Sequence, residues 1–224
     1  MLVVSDIHGN LPALNAVLGD APDTDTVICC GDLTGYYPWP DDVVGIARER
    51  GFLAVRGNHD EAVVTGSTFG MNGAAADAAR WTIDAISDDT RAFLEQLPYT
   101  RRESVQGRDV FVVHGSPRAP VEEYVYPDTV SEQFLQRQNV DADILLLGHT
   151  HVPFGETIDD TLVVNPGSVG QPRDGDPRAA YAVVDVAERT ADIRRVEYPV
   201  DEVQTAVRDA GLPDELAARL EHGR

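Results

Sequence analysis

The chain predicts an α/β fold in which two β-sheets pack face to face with helices on their outer surfaces. Three observations carry that expectation. Apolar runs of strand length alternate with helical stretches early in the chain, the pattern of parallel crossover units. From Tyr99 onward, short strands pair around turn residues as antiparallel hairpins. No internal repeat and no linker-like run divides the two halves, so residues 1–224 are expected to form one domain.

The elements follow in order. The opening Met-Leu-Val-Val-Ser-Asp is a short apolar strand, and Leu11–Leu18 is a helix with Pro12 in its first turn, where a missing N–H costs nothing. Thr26–Cys30 is a second buried strand. The loop after it, Gly31–Pro40, is too rich in Gly, Pro and aromatics for regular structure. Asp41–Arg50 opens with acids and closes with Arg, as the helix dipole prefers, and Phe52–Val55 is a third strand. Gly73–Ile86 is an Ala-rich helix; the next is capped by Ser87 or Asp88 and runs to Leu97, where Pro98 stops it. Residues 99–105 and 109–113 form a hairpin around Gln106-Gly107, and a Pro-bearing loop leads to a helix over Thr129–Gln138. Asp143–Leu147 is another buried strand. Residues 152–158 and 161–165 pair around Asp159-Asp160, and 179–187 pairs with 190–197. The tail, 201–221, reads as two short helices split by Gly211 and Pro213.

Asp and Glu number 38 against 18 basic residues, all of them Arg, for a net charge of -20. That bias predicts a salt-rich cytoplasm, where the Debye length falls to about 3 Å near 1 M and tames self-repulsion. It disfavours duplex nucleic acid and anionic membranes, which need a basic footprint. The two cysteines, Cys29 and Cys30, are neighbours on a strand and point to opposite faces, so they are expected to be core residues of a reduced cytosol. No apolar run reaches membrane-spanning length, and Met1 leads straight into a strand without room for a signal peptide, so a cytoplasmic protein is expected.

The chemistry lies at strand ends. Apart from His222 in the tail, the histidines occur in short Gly-bearing turns: Asp6-Ile-His8-Gly-Asn10, Gly57-Asn58-His59-Asp60, Val113-His114-Gly115 and Gly148-His149-Thr-His151. Gly31-Asp32 ends the second strand. Each turn follows an apolar run, so all would emerge along the sheet edge where open α/β folds place their sites. An extended backbone would put Asp6 with His8, and His149 with His151, on common faces. Mixed Asp, His and Asn donors suit Mn, Fe, Co, Ni or Zn better than Ca. Six to seven ligands exceed one tetrahedral zinc and match two metals sharing a carboxylate.

The ordered series DIHGN, GDLTG, GNHD, VVHG and GHTH resembles the calcineurin-like dinuclear metallophosphoesterases, in their small prokaryotic branch without a cap domain. The match runs from residue 5 to about 175, through Asn165-Pro-Gly-Ser-Val-Gly-Gln-Pro-Arg173. With the acid excess, it points to a haloarchaeal source. The resemblance implies a four-layer α/β/β/α sandwich with two mixed sheets. It implies that Asp6, His8 and His151 hold one divalent metal, that Asn58, His114 and His149 hold a second, and that Asp32 and a hydroxide bridge them. Manganese is the first expectation, with Fe, Ni, Co or Zn as alternatives. The implied reaction is in-line attack of the bridging hydroxide on phosphorus, with His59 protonating the leaving oxygen. Asp60 either orients His59 or serves turn and cap chemistry, and Asn10 supports the site by a hydrogen bond.

One departure matters. The large protein Ser/Thr phosphatases carry Asp-Arg shortly after the bridging Asp, and here that stretch is Leu33-Thr-Gly-Tyr-Tyr-Pro38. Arg118 is a candidate substitute for the missing phosphate clamp, against the plain alternative of a surface Arg. Tyr36, with Tyr37 and Trp39, either stacks on a nucleobase or aryl group or forms a lid packed on its own domain. The expected substrate is a small phosphate ester or nucleotide, a diester ahead of a monoester. The alternatives are a phosphomonoesterase or protein phosphatase and, in another class, a metal-binding scaffold without catalysis. The sequence is silent on oligomeric state.

Overall fold

Two five-stranded mixed sheets organise the chain in a computed structural model that describes residues 1–224. In the first sheet β1 (Leu2–Val4), β2 (Val27–Cys29) and β3 (Leu53–Ala54) run parallel, and the hairpin of β9 (Ala179–Asp185) and β10 (Thr190–Val196) extends it antiparallel beside β1. In the second, β5 (Arg108–Val113), β6 (Ile144–Leu146) and β8 (Thr161–Asn165) run parallel, edged by β4 (Thr100–Val105) and β7 (Phe154–Ile158) in antiparallel pairing.

Alternation along the strands builds three apolar layers. Val3, Ile28, Val110, Val112, Ile144, Leu146 and Val164 fill the space between the sheets. Leu2 and Val4 point the other way, into a cluster with α1 (Leu11–Asp20), α2 (Pro40–Glu49), α5 (Asp88–Gln96), α7 (Val200–Asp209) and α8 (Asp214–Ala218). Phe111, Val113, Leu145 and Leu147 face α6 (Glu132–Gln138) through Phe134 and Leu135. The order is helices, sheet, sheet, helix, the four-layer sandwich expected. Cys29 lies on the helix side and Cys30 between the sheets, both buried and free.

Two elements differ from expectation. Gly57–Asp60 is not a free turn: α3 (Asn58–Thr65) begins there with Gly57 as its N-cap, ahead of α4 (Gly73–Ala85). Helix α6 starts at Glu132, capped by the Ser131 side chain, and only a single 3-10 turn, Pro127–Thr129, precedes it. Ser131 Oγ accepts the Phe134 N–H, which sets the start later than the apolar pattern suggests.

Candidate metal centre

The site stands on the carboxyl ends of parallel strands from both sheets. Asp6 and His8 follow β1, Asp32 follows β2, Asn58 and His59 open α3 after β3, His114 follows β5, and His149 and His151 follow β6. The backbone there is not extended. Asp6, His8, Asp32, His149 and His151 all have φ between 51° and 67°, in the left-handed region. Asp and His tolerate it better than most residues, yet each such position costs on the order of 1–3 kcal/mol. Surrounding packing and hydrogen bonds offset that cost and curl five functional side chains inward.

The residues form two half-sites. In one, His151 Nε2 lies 3.2 Å from Asp6 Oδ1 and 3.2 Å from His8 Nε2. In the other, His114 Nε2 lies 3.1 Å from Asn58 Oδ1 and 3.1 Å from His149 Nδ1. Asp32 Oδ2 sits between them, 3.7 Å from His8 Nε2 and 3.4 Å from His114 Nε2. His149 and His151 therefore serve different half-sites; the shared face expected from alternation is replaced by two left-handed residues that send their rings apart.

The surrounding bonds aim lone pairs inward. His8 Nδ1 donates to Thr34 O at 3.1 Å, His114 Nδ1 to Cys30 O at 2.8 Å, and His151 Nδ1 to Gln171 O. In a neutral ring each such bond leaves Nε2 as an acceptor, the arrangement that orients metal-binding imidazoles. Asp6 Oδ2 accepts from the Ser5 hydroxyl at 2.6 Å and the His149 N–H at 3.1 Å, while its Oδ1 is buried without a partner. Asp32 Oδ1 accepts the His59 N–H at 2.8 Å. Acceptors thus face acceptors in the first half-site, and in the second once His114 Nε2 gives up its proton, an arrangement that suits cations between them.

Electrostatics agree. Burial alone would raise Asp6 and Asp32, but neighbouring imidazoles, His151 and His114 foremost, hold both carboxyls below the usual range. Burial keeps His8 and His151 below the ordinary imidazole value and lowers His149 to about 3. Burial also opposes charge on His114, yet Asp32 and Asp6 outweigh it and push that ring up to about 9. Two carboxylates, one imidazolium and three neutral rings make a net negative, ligand-ready cradle. The donor set fits two divalent cations.

The remaining expected residues separate clearly. One ligand atom each from His8, Asp32 and His59 lies within 4.8 Å, but His59 lacks the Nδ1 anchor of His8, His114 and His151. Its ring packs against His8 at 4.7 Å and Tyr36 at 4.4 Å, and it lines the cleft above the site. Burial, opposed by Asp32 and reinforced by Arg173, holds it down to about 4. Asp60 makes no bond to His59: it accepts from the N–H groups of Leu33, Thr34 and Gly57 and from the Thr34 hydroxyl, tying the loop after β2 to the start of α3. Asn10 caps α1 through Ala13 N and donates to Gly170 O.

The cleft, about 680 Å³, is lined by Asn58, His59, His149, Tyr36, Tyr124 and Arg173 among others. Tyr36 is buried, its ring 4.5 Å from His8 and its hydroxyl bonded to Arg173, which is wall packing rather than a free stacking platform. Arg118 is exposed and does not line this cleft. Two wall residues carry no local sequence signal: Arg173, at the end of residues 165–173, and Tyr124, whose ring stacks on His149 at 3.8 Å.

Residues 1–189 match the sequence profile of the calcineurin-like phosphoesterase superfamily domain. An uncharacterized protein of Methanocaldococcus jannaschii is 35% identical over 99% of this chain and 97% of its own length. A solved metallophosphoesterase of Sphaerobacter thermophilus is 37% identical, with a TM-score of 0.85 over 100% of this chain and 98% of its own. A hypothetical protein of Pyrococcus horikoshii, 21% identical, superposes with a TM-score of 0.91 over 100% and 98%, a likeness of fold.

Proposed function

Because the chain belongs to the calcineurin-like phosphoesterase superfamily, we propose that it is a dinuclear metal-dependent phosphoesterase acting on small phosphate esters, diesters ahead of monoesters. The observation that carries this reading is the placement of Asp32 Oδ2 between two three-residue half-sites. Asp6, His8 and His151 would hold one cation, Asn58, His114 and His149 the other, and Asp32 would be shared by both. The pair of cations, manganese first among the candidates, supplies Lewis acidity at the phosphoryl group and lowers the pKa of the attacking water.

The chain's own residues do the rest. His59 Nδ1 is buried without a partner, so the chemistry this ring can do in the cleft falls to Nε2. Burial keeps the ring neutral at pH 7 in the free protein; negative charge arriving on a phosphoryl group favours its protonated form. His59 then donates that proton to the departing alkoxide. Arg173 is the one cation among the lining residues, against Glu122 and a Glu61 already paired with Arg56. That balance suits a monoanionic diester better than a dianionic monoester. Half-exposed Tyr124 and exposed Phe69 offer apolar surface to the ester arms.

The test compares bis-p-nitrophenyl phosphate with p-nitrophenyl phosphate on metal-stripped protein resupplied with Mn, Ni, Zn or Mg. The acid excess makes molar KCl the appropriate medium. Diester turnover exceeding monoester turnover is expected. Monoester preference would overturn the diester reading, and silence on both with metal bound would make the protein a scaffold.

A further inference from the structure

Arg173 is held unlike the ion-paired arginines of this acidic chain. Ion pairs with carboxylates engage nine others, such as Arg56 with Glu61 and Arg195 with Asp174. Arg173 has no carboxylate partner although Glu61 and Glu122 line the same cleft. Its Nε and Nη2 donate to Gln171 Oε1 at 3.1 and 2.8 Å, and Nη2 also donates to the Tyr36 hydroxyl at 3.1 Å. Those neutral acceptors fix the plane of the guanidinium without neutralising its charge. Of its five N–H donors, the two on Nη1 are left without a protein acceptor.

The mounting is rigid and tied to the metal centre. Gln171 is fully buried; its Nε2 donates to the Tyr37 hydroxyl at 3.0 Å, and its backbone carbonyl accepts from His151 Nδ1. The Tyr36 ring that carries the other tether packs on His8 and His59. One short segment thus sets both the orientation of a metal-ligating imidazole and the position of an uncompensated cation in the cleft. A side chain that needed only tethering would gain more from one of the cleft's carboxylates.

We propose that Arg173 is the phosphoryl anchor of this cleft, its free Nη1 donors binding a non-bridging oxygen of a phosphate ester, with Gln171 as its positioning residue. The proposal deepens the phosphoesterase reading and rests on it for the identity of the anion. It places the clamp on the loop after β8, not at Arg118.

The test uses the full metal-loaded chain with inorganic phosphate as probe, its affinity measured by calorimetry, alongside turnover of bis-p-nitrophenyl phosphate. Arg173→Gln is expected to weaken phosphate binding about 10- to 100-fold, the range of a charge-assisted hydrogen bond. Metal content and melting temperature should stay at wild-type values. Arg173→Lys should recover only part of the affinity, since a point charge lacks the planar fork. Phosphate affinity in Arg173→Gln within about twofold of wild type, or no phosphate binding to wild type at all, would overturn the anchor. If wild type turns over and Arg173→Gln binds phosphate equally well, the anchor fails and the phosphoesterase reading stands. If wild type binds phosphate through Arg173 but hydrolyses no ester, the anchor stands and the hydrolytic reading fails.

Discussion

Gly57→Ala isolates the close approach that positions Asp32. Gly57 has an extended backbone, φ -96° and ψ 178°, which alanine adopts freely, so the substitution carries no intrinsic backbone strain. The obstacle is contact alone. A Cβ at this position would lie 2.0 Å from Asp32 Oδ1, 2.4 Å from Asp32 N and 2.6 Å from Asp32 Cγ. Because the Asp32 backbone is among the clashing atoms, rotating its side chain cannot relieve the overlap. One of the two segments must move by about 1 Å or more to restore ordinary contact distances. Overpacking of this kind costs about 1–3 kcal/mol, or roughly 2–12 °C in Tm for a chain of this size. Displacing Asp32, the proposed shared ligand, by that distance should cost about 100-fold in turnover. Gly45→Ala is the control: inside α2, with nothing within 4 Å of a new Cβ, it should gain about 0.5–1 kcal/mol and keep activity. Calorimetric melts and metal-dependent diester turnover on both variants decide the matter. If Gly57→Ala melts and turns over like wild type, the approach of Gly57 does not position Asp32.

Three further outcomes follow from the same geometry. Asp60→Ala strands the N–H groups of Leu33, Thr34 and Gly57, so it should lose roughly 3 kcal/mol or more, read by urea denaturation; a loss under about 1 kcal/mol would mean water replaces the carboxylate. His59→Ala should retain metal, counted by atomic emission, yet lose most turnover; equal activity would remove its role as proton donor. Metal uptake should depend on pH through His114. With a folded value of about 9, above its ordinary 6.5, the ring carries a proton at pH 7 that a cation must displace. Apparent affinity should therefore climb from pH 6 to 9, with proton release visible as a buffer-dependent heat. Affinity flat across that range would contradict the protonated resting state.

Much of this was legible in the sequence for physical reasons. Strands buried on both faces read as uninterrupted apolar runs, and Val110–Val113 and Ile144–Leu146 are that in the structure. Gln106-Gly107 announces its hairpin because that turn needs two positive φ angles, 51° and 80° here. The start of α3 was hidden because Asn58-His59-Asp60 has the composition of a turn, and its N-cap, Gly57, has no side chain to signal it. The left-handed backbone at His149 and His151 is a tertiary outcome, held by bonds such as His149 N to Asp6 Oδ2, that local spacing does not encode. Arg173 gives no local signal for the same reason: its lack of an acidic partner is visible only once the cleft is assembled.

Two cations sharing Asp32 are the centre of the proposed chemistry. The most direct measurement titrates Mn into stripped protein while recording diester turnover and the electron paramagnetic resonance of the bound ions. Activity is expected to saturate at about two ions per chain, with the exchange-coupled spectrum of a pair sharing a ligand. Saturation at one ion, or two magnetically isolated ions, would contradict that sharing.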